Sequence, residues 1–246
     1  MDSNEHNSTA AEVADVAGVE VAERPPFAVS VESQAFAAAY SAVSLAASTD
    51  ATRPQLCTVA VEVAAGRGLR LIATDSYRLH VAAIDADSVD VLDSVPTGAA
   101  VRFPAAMLKA TEVRRLAKAA AKDPAGRIYL DADVAADSLT DYVGTAGTVT
   151  VRAGTLGAAV AVPTDMAADY PSLDGILQGI SGTVEEPTFD GLPTLNPRYM
   201  ADVAKAGAFV AYTISAVQSS TLKPNAWRAS AAGVDLLAVL MPVRRG

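Results

Sequence analysis

Residues 71–84 read LIATDSYRLHVAAI, and the reading of this chain turns on them. The middle of the stretch crowds Thr74, Asp75, Ser76, Tyr77, Arg78 and His80 together. A catalytic nucleophile needs a base within reach and a third group to orient that base. Ser76 and His80 are four apart with no Gly-x-Ser-x-Gly elbow around the serine, and the other histidine, His6, lies near the N-terminus. No His/Cys/Asp cluster has ligand spacing, and no phosphate-cradling or dinucleotide-binding glycine pattern occurs. No enzyme activity, metal or cofactor is expected. The residues read instead as strand, turn, strand, with Asp75-Ser76 turning the chain and Arg78 pairing with a nearby acid.

Working outward, the chain has 246 residues, of which 51% are hydrophobic and only 5% aromatic. Such a composition predicts a core of helix faces and thin strands. No apolar run approaches the length of a bilayer span, and no basic start with an apolar block marks a secretory signal. The lone Cys57 excludes an intrachain disulfide and is expected as a small buried hydrophobe in an extended run, in a reducing, cytoplasmic setting. The formal net charge is −9. Residues 1–25 carry Asp2, Glu5, Glu12, Asp15, Glu20 and Glu23 against Arg24, and read as a disordered acidic tail.

After the tail, one pattern recurs three times: a strand, a helix, then several antiparallel strands. The first has a strand at 27–31, a helix capped by Ser33 with Phe36, Tyr40 and Val43 on one face, and strands at 55–63, 68–74 and 78–84. The second has a strand at 99–103, a helix from Pro104 to about Lys122, and strands near 127–131, 139–143, 147–153 and 156–162. A turn-rich connector follows. The third has a strand at 186–192, a helix opened by Asn196-Pro197, and strands at 209–216, 226–230 and 234–243. The predicted class is α+β, with helices on one face of antiparallel sheets. The expected domains are 26–163 with two units, a connector at 164–186, and a half domain at 187–246.

The helices carry the basic charge. Arg114, Arg115, Lys118 and Lys122 share one arc of the second helix, with Glu112 set off it, and Arg198 and Lys205 align on the third. The acids fall in loops and edges: Asp85, Asp87, Asp90, Asp93, Asp131, Asp133, Asp137 and Asp141. An acidic body with basic helices steers a polyanion to one surface, although a merely solvated helix face has the same look. The first helix, between Ser33 and Ser48, has no basic residue.

The stretch LIATDSYRLHVAAI resembles the ATDG-x-RL segment of the bacterial sliding clamp, the β subunit of DNA polymerase III. The chain end, LAVLMPVRRG, is similar to that family's MPMRL-type ending. DYPSLDGIL (169–177), LNPRYMADVAKA (195–206) and TRPQL (52–56) resemble further segments of the family. The likeness covers about residues 27–246. It implies a DNA-clamp fold and a ring, of bacterial or phage type, that encircles duplex DNA irrespective of sequence, as a homo-oligomer with no membrane. DNA polymerase and the clamp loader would dock through short linear motifs. The pocket carried over comprises Thr74, Ser76, Tyr77, Arg78 and Leu79, then Pro171 and Ile176, then Asn196 and Tyr199, and at the end Val239, Met241, Pro242, Val243 and Arg244. The DNA contacts would be Arg114, Arg115, Lys118, Lys122, Arg198 and Lys205.

The chain departs from that family in three ways. Ser76 stands at the family's glycine, a position favouring positive φ. Gly175 stands where the family often has arginine, and Arg245-Gly246 extend the end. Three units make one and a half domains, so twelve units would need four chains. A trimer, or no ring at all, are the alternatives. The rival function is a binding module that sequesters clamp-binding proteins without holding DNA.

Overall fold

The computed structural model describes residues 27–132, 148–153, 158–163, 170–180, 182–211 and 213–243. The N-terminal tail, the strand expected at 139–143, and Asp133, Asp137, Asp141 and Arg244 lie outside the described residues.

The first unit opens with strand β1 (Phe27–Glu32), whose residues alternate between buried and half-buried. Helix α1 (Ser33–Val43) follows directly. Its cap is Glu32 rather than the expected Ser33: the Glu32 carboxylate accepts from the amides of Gln34 at 3.1 Å and Ala35 at 2.6 Å. One carboxylate satisfies two free amide donors and leaves Ser33 buried inside the helix. Strands β2 (Thr58–Val63), β3 (Leu69–Thr74) and β4 (Arg78–Ile84) then form an antiparallel meander. Residues 54–57 form a single 3-10 turn where the strand was expected to begin at 55, because Pro54 presets the turn and the Leu56 amide donates to the Arg53 carbonyl. Cys57 is therefore half-buried in a turn, its thiol 3.3 Å from the Asp50 carbonyl, and burial pushes its pKa up.

Strand β5 (Val89–Val91) lies between the runs expected as strands at 78–84 and 99–103; at three residues it is too short to show a period. The second unit comprises β6 (Ala100–Pro104), α2 (Ala110–Ala120), β7 (Arg127–Ala132), β8 (Thr148–Ala153) and β9 (Ala158–Pro163). Helix α2 starts six residues later than expected. Pro104 closes β6, and its carbonyl accepts from Met107 and Leu108 in a turn. That turn delivers the Leu108 carbonyl to the buried Tyr40 hydroxyl, which donates to it at 2.7 Å.

Next come the short helix α3 (Asp174–Gln178), β10 (Thr188–Asp190), α4 (Pro197–Val210), β11 (Ser215–Ser220), β12 (Asn225–Ala231) and β13 (Val234–Leu240). The strand expected at 209–216 is instead the last turn of α4 and a strand that begins at Ser215. Phe209 and Val210 pack on the main core one turn beyond the buried Ala206, so their apolar run continues a helical face.

The strands make two sheets, in the orders β5-β1-β7-β8-β9 and β10-β11-β12-β13-β4-β3-β2-β6. The first two units exchange their leading strands. β1 pairs antiparallel with β7 of the second unit, and β6 of the second unit pairs antiparallel with β2 of the first. The third unit joins through β13, which pairs with β4 along its length from Val234↔Ile84 to Leu240↔Arg78.

Strand alternation gives the eight-stranded sheet two faces. Val61, Leu71, Ala82, Ile84 and Leu236 face the main core beneath the helices. On that side α1 packs against both α2 and α4. The other face carries Ile72, Leu79, Val81, Val217 and Val239, covered by Tyr170, Leu173, Ile176, Leu177 and Ile180 of the connector. The connector lies so close to β11 that a Cβ on Gly182 would sit 1.7 Å from the Val217 carbonyl oxygen. Only glycine fits there.

Candidate peptide-docking surface and basic helix layer

The β3–β4 turn explains its own polar sequence. One oxygen of the buried Asp75 accepts from the amides of Tyr77 at 2.9 Å and Arg78 at 3.0 Å, while the other takes Arg78 Nε at 3.0 Å. The Thr74 hydroxyl donates to the Arg78 carbonyl at 2.7 Å and accepts from the Ser76 amide at 3.2 Å. Two side chains thus close the loop from inside, an arrangement suited to Asp and Thr. Ser76 is held at φ 79°, the left-handed region, and its hydroxyl accepts from Arg53 at 3.0 Å. His80, from the same stretch, points under α1. Its Nδ1 is 2.8 Å from the Ala42 carbonyl, and burial lowers its pKa to about 4. A neutral, buried imidazole bonded to a helix carbonyl holds elements together and offers no base to Ser76.

Arg78 extends this network to the third unit. Its guanidinium also pairs with Asp202 of α4 and lies 4.6 Å from the centre of the Tyr199 ring. Burial, then the neighbouring Asp75 carboxylate, raises the Tyr199 phenol pKa. The chain end runs alongside: the Met241 amide donates to the Tyr77 carbonyl, and the Val243 amide to the Thr194 carbonyl, each at 2.8 Å. Tyr77, Met241 and Val243 are 60%, 38% and 49% exposed, an apolar rim at the hairpin tip. Pro242 between them is half-buried.

Some of the residues carried over for a pocket lie near this tip, on two sides of the sheet. Leu79 opposes Val239 on the connector face and packs with Ile176, and the exposed Pro171 follows the buried Tyr170. Arg78 and Tyr199 lie on the helix face. Asn196 caps α4, its side-chain oxygen accepting from the Arg198 amide at 3.0 Å. Strand alternation forces this division between adjacent Arg78 and Leu79, and the alternation itself is legible in residues 78–84. Asp75, Asp202 and Tyr170 were missed as members of the site. The signals were a carboxylate at the first position of the turn and a carboxylate three residues after Tyr199 on a helix.

On the helix layer, Arg114 donates to the Ser41 hydroxyl at 3.3 Å and stacks 5.2 Å over Phe209 of α4. Arg114 and Lys118 line a groove of about 400 Å³ that also borders Gln34, Ser41 and Phe209. Arg115 is tied to Glu112 by a bond of 2.5 Å, so Glu112, though off the basic arc, reaches one of its members and offsets that charge. The i,i+3 spacing places the two on adjoining turns. Lys122 lies beyond the end of α2 and is exposed. Arg198 and Lys205, both exposed, are two turns apart on α4 along the line that leads to Phe209.

Among the described residues, no group of three or more His, Cys, Asp or Glu could hold a metal ion, and no helix is long and apolar enough to cross a membrane.

No protein-family model and no curated protein matches the chain in sequence. Solved structures do match in three dimensions. A DNA polymerase sliding clamp from Pseudomonas aeruginosa, solved with a ligand, aligns with a TM-score of 0.59 at 16% identity, over 89% of this chain and 66% of that one. The DNA polymerase III subunit beta of the same organism gives 0.58 at 16% identity over 94% and 70%. The sliding clamp of Caulobacter crescentus gives 0.58 at 19% identity over 89% and 65%. The chain therefore has the sliding-clamp fold. It spans about two thirds of the length of the clamps it matches.

Proposed function

We propose that this protein is a DNA sliding clamp without enzymatic activity. Several copies form a ring around duplex DNA, and polymerase and clamp loader are tethered at the Tyr77–Met241 tip. The helix layer carries the reading. Arg114, Lys118, Arg198 and Lys205 belong to helices that both pack against α1, and none of the four forms an ion pair among the described residues. In a chain of net charge −9 such a face attracts phosphates without reading bases. Retention then comes from topology, and contacts weak enough to exchange let the ring slide. At the tip, an apolar rim with the flexible Met241 beside fixed polar groups suits short apolar motifs from varied partners. The compartment is the cytoplasm, where replication proteins work.

The test reverses four charges: R114E, K118E, R198E and K205E together, assayed for polymerase processivity on a primed circular template. A tenfold or greater loss is expected, with a shallower dependence on salt. Unchanged processivity overturns the reading.

A second reading, a module that sequesters clamp-binding proteins, draws on one observation: among the described residues the third unit exchanges no leading strand, unlike the first two. Retention on closed circular DNA, lost when the circle is cut, separates the two.

A further inference from the structure

The groove between α1 and α2 holds positive charge that the described residues leave unanswered. Helices α1, α2 and α4 contain two acids between them, Glu112 and Asp202. Both are engaged elsewhere, Glu112 with Arg115 and Asp202 with Arg78. Helix α1, one wall of the groove, has no charged residue. On the other wall Arg114 meets a hydroxyl and a ring, Ser41 and Phe209, and neither Arg114 nor Lys118 has a carboxylate partner among the described residues. Both side chains belong to exposed residues, and Ala37, Ala38 and Phe209 line the groove between them.

The same chain carries a block of the opposite charge. Residues 1–26 contain Asp2, Glu5, Glu12, Asp15, Glu20 and Glu23 against the single Arg24. Val13, Val16, Val19 and Val21 are interspersed with the last four acids, so the block matches the groove in apolar character as well as in charge. It joins the fold at Phe27, and β1 leads directly into α1, whose Gln34 borders the groove. Six residues of strand measure about 20 Å. Glu20 stands seven residues before Phe27, and seven extended residues span about 23 Å, so Glu20 and the acids before it can reach back to the groove. A tether this short gives the acids an effective concentration of about millimolar at the groove, enough to populate a contact too weak to hold a free peptide.

We propose that residues 12–23 of this chain dock in the α1–α2 groove, with their carboxylates against Arg114 and Lys118, and shield that face from phosphate. The inference rests on the clamp reading for what the segment competes with; the contact itself does not. Duplex DNA carries a charge every ~1.7 Å of its axis, denser than the acids of the segment, so DNA threaded through a ring displaces it. Stray DNA meeting a single groove is turned away. Exposed ion pairs are weak and screened by salt, so the shield is reversible.

The experiment uses the full chain. Carbodiimide, which joins a carboxylate directly to an amine, is applied without DNA to an equal mixture of isotope-labelled and unlabelled protein. Mass spectrometry should find Glu12, Asp15 or Glu20 joined to Lys118 or Lys122 within one isotope, in clear excess over the exposed Lys223 on the far side of the third unit's meander. Arg114→Glu keeps both lysines and should remove most of that excess. A second arm measures affinity for a short linear duplex. The variant D2N/E5Q/E12Q/D15N/E20Q/E23Q should bind about fivefold tighter or more at about 50 mM salt, with the gap closed by about 0.5 M. In an R114E/K118E background the same six changes should matter by less than about twofold. Links no denser at Lys118 and Lys122 than at Lys223, links only between copies, or an equal gain in the R114E/K118E background, which would mark a general effect of net charge, overturns the proposal. Links at Lys118 in a protein that binds no duplex at either tail charge would refute the clamp reading and leave this contact standing. A chain retained on closed circles, with no preferred link at the groove, would do the reverse.

Discussion

The first two units and the third are built from the same elements and stabilised differently. In the pair, exchanged strands place Phe27, Phe36, Tyr40, Phe103 and Leu116 in one core with no solvent exposure. The third unit's own cluster is Val203, Ala238 and Leu240, edged by half-buried Leu195, Tyr199, Met200 and Trp227. Its remaining order is borrowed through the β13–β4 ladder, the contact of α4 with α1, and the Arg78–Asp202 pair. A strand–helix–meander unit has one apolar face too many to bury alone. It needs a partner to close it, and only the first two units have one within the described chain.

The contrast can be broken at its strongest point with paired truncations. Phe103→Ala should cost about 3–5 kcal/mol and lower the melting temperature of the whole chain, as loss of a fully buried ring does. Trp227→Ala, at a half-buried site, should cost about 1–2 kcal/mol. Hydrogen exchange should then speed up in α4 and β11–β13 while β1 and β7 keep their protection. Equal effects on both regions would mean that they unfold as one, and the contrast drawn above would be wrong.

The seam between the regions should be sensitive to pH. His80 lies on β4 opposite Ala238 of β13 and bonds to α1. Burial holds its folded pKa at about 4, below the ordinary imidazole value of 6.5. The unfolded state therefore binds the proton more tightly, and stability is full above about pH 6.5 and falls as pH drops toward 4. The loss at pH 5 should be about 2 kcal/mol, read as a shift in the urea midpoint. His80→Gln should remove most of that slope; a slope that stays would place the sensitivity elsewhere.

The smallest effect sharpens the picture of the hairpin. Ser76→Gly relieves a left-handed backbone and should stabilise the chain by about 0.5–1 kcal/mol, offset in part by the lost Arg53 contact. A destabilised variant would show that the Arg53–Ser76 hydrogen bond outweighs the backbone strain.

Much of this was readable in advance where local rules dominate. The alternation of β1, the apolar runs of β3, β4 and β7, the turn at Asp75-Ser76 and the Asn196-Pro197 helix start follow from strand pattern, turn chemistry and capping, which act within a few residues. Errors came where a distant group decided. Pro104 looks like a helix start but closes a strand, because Leu108 is needed at Tyr40. The run from Phe209 reads as strand, but the core lies under a helix there. Glu112 looked remote on a helical wheel, yet its side chain reaches Arg115.

The sequence by itself determined the α+β class, the three-fold repeat of strand, helix and meander, the turn at Asp75-Ser76 and the basic character of two helices, all properties of neighbouring residues. Only the tertiary structure decided that β1 and β6 change places, that β13 continues the sheet of the first unit, that Arg78 bridges to Asp202, and that β10 pairs in parallel with β11 of its own unit. Each of these pairs segments far apart in the chain. Backbone hydrogen bonds are alike in every strand, so the choice of partner depends on which faces can be buried together, and that is a property of the assembled molecule.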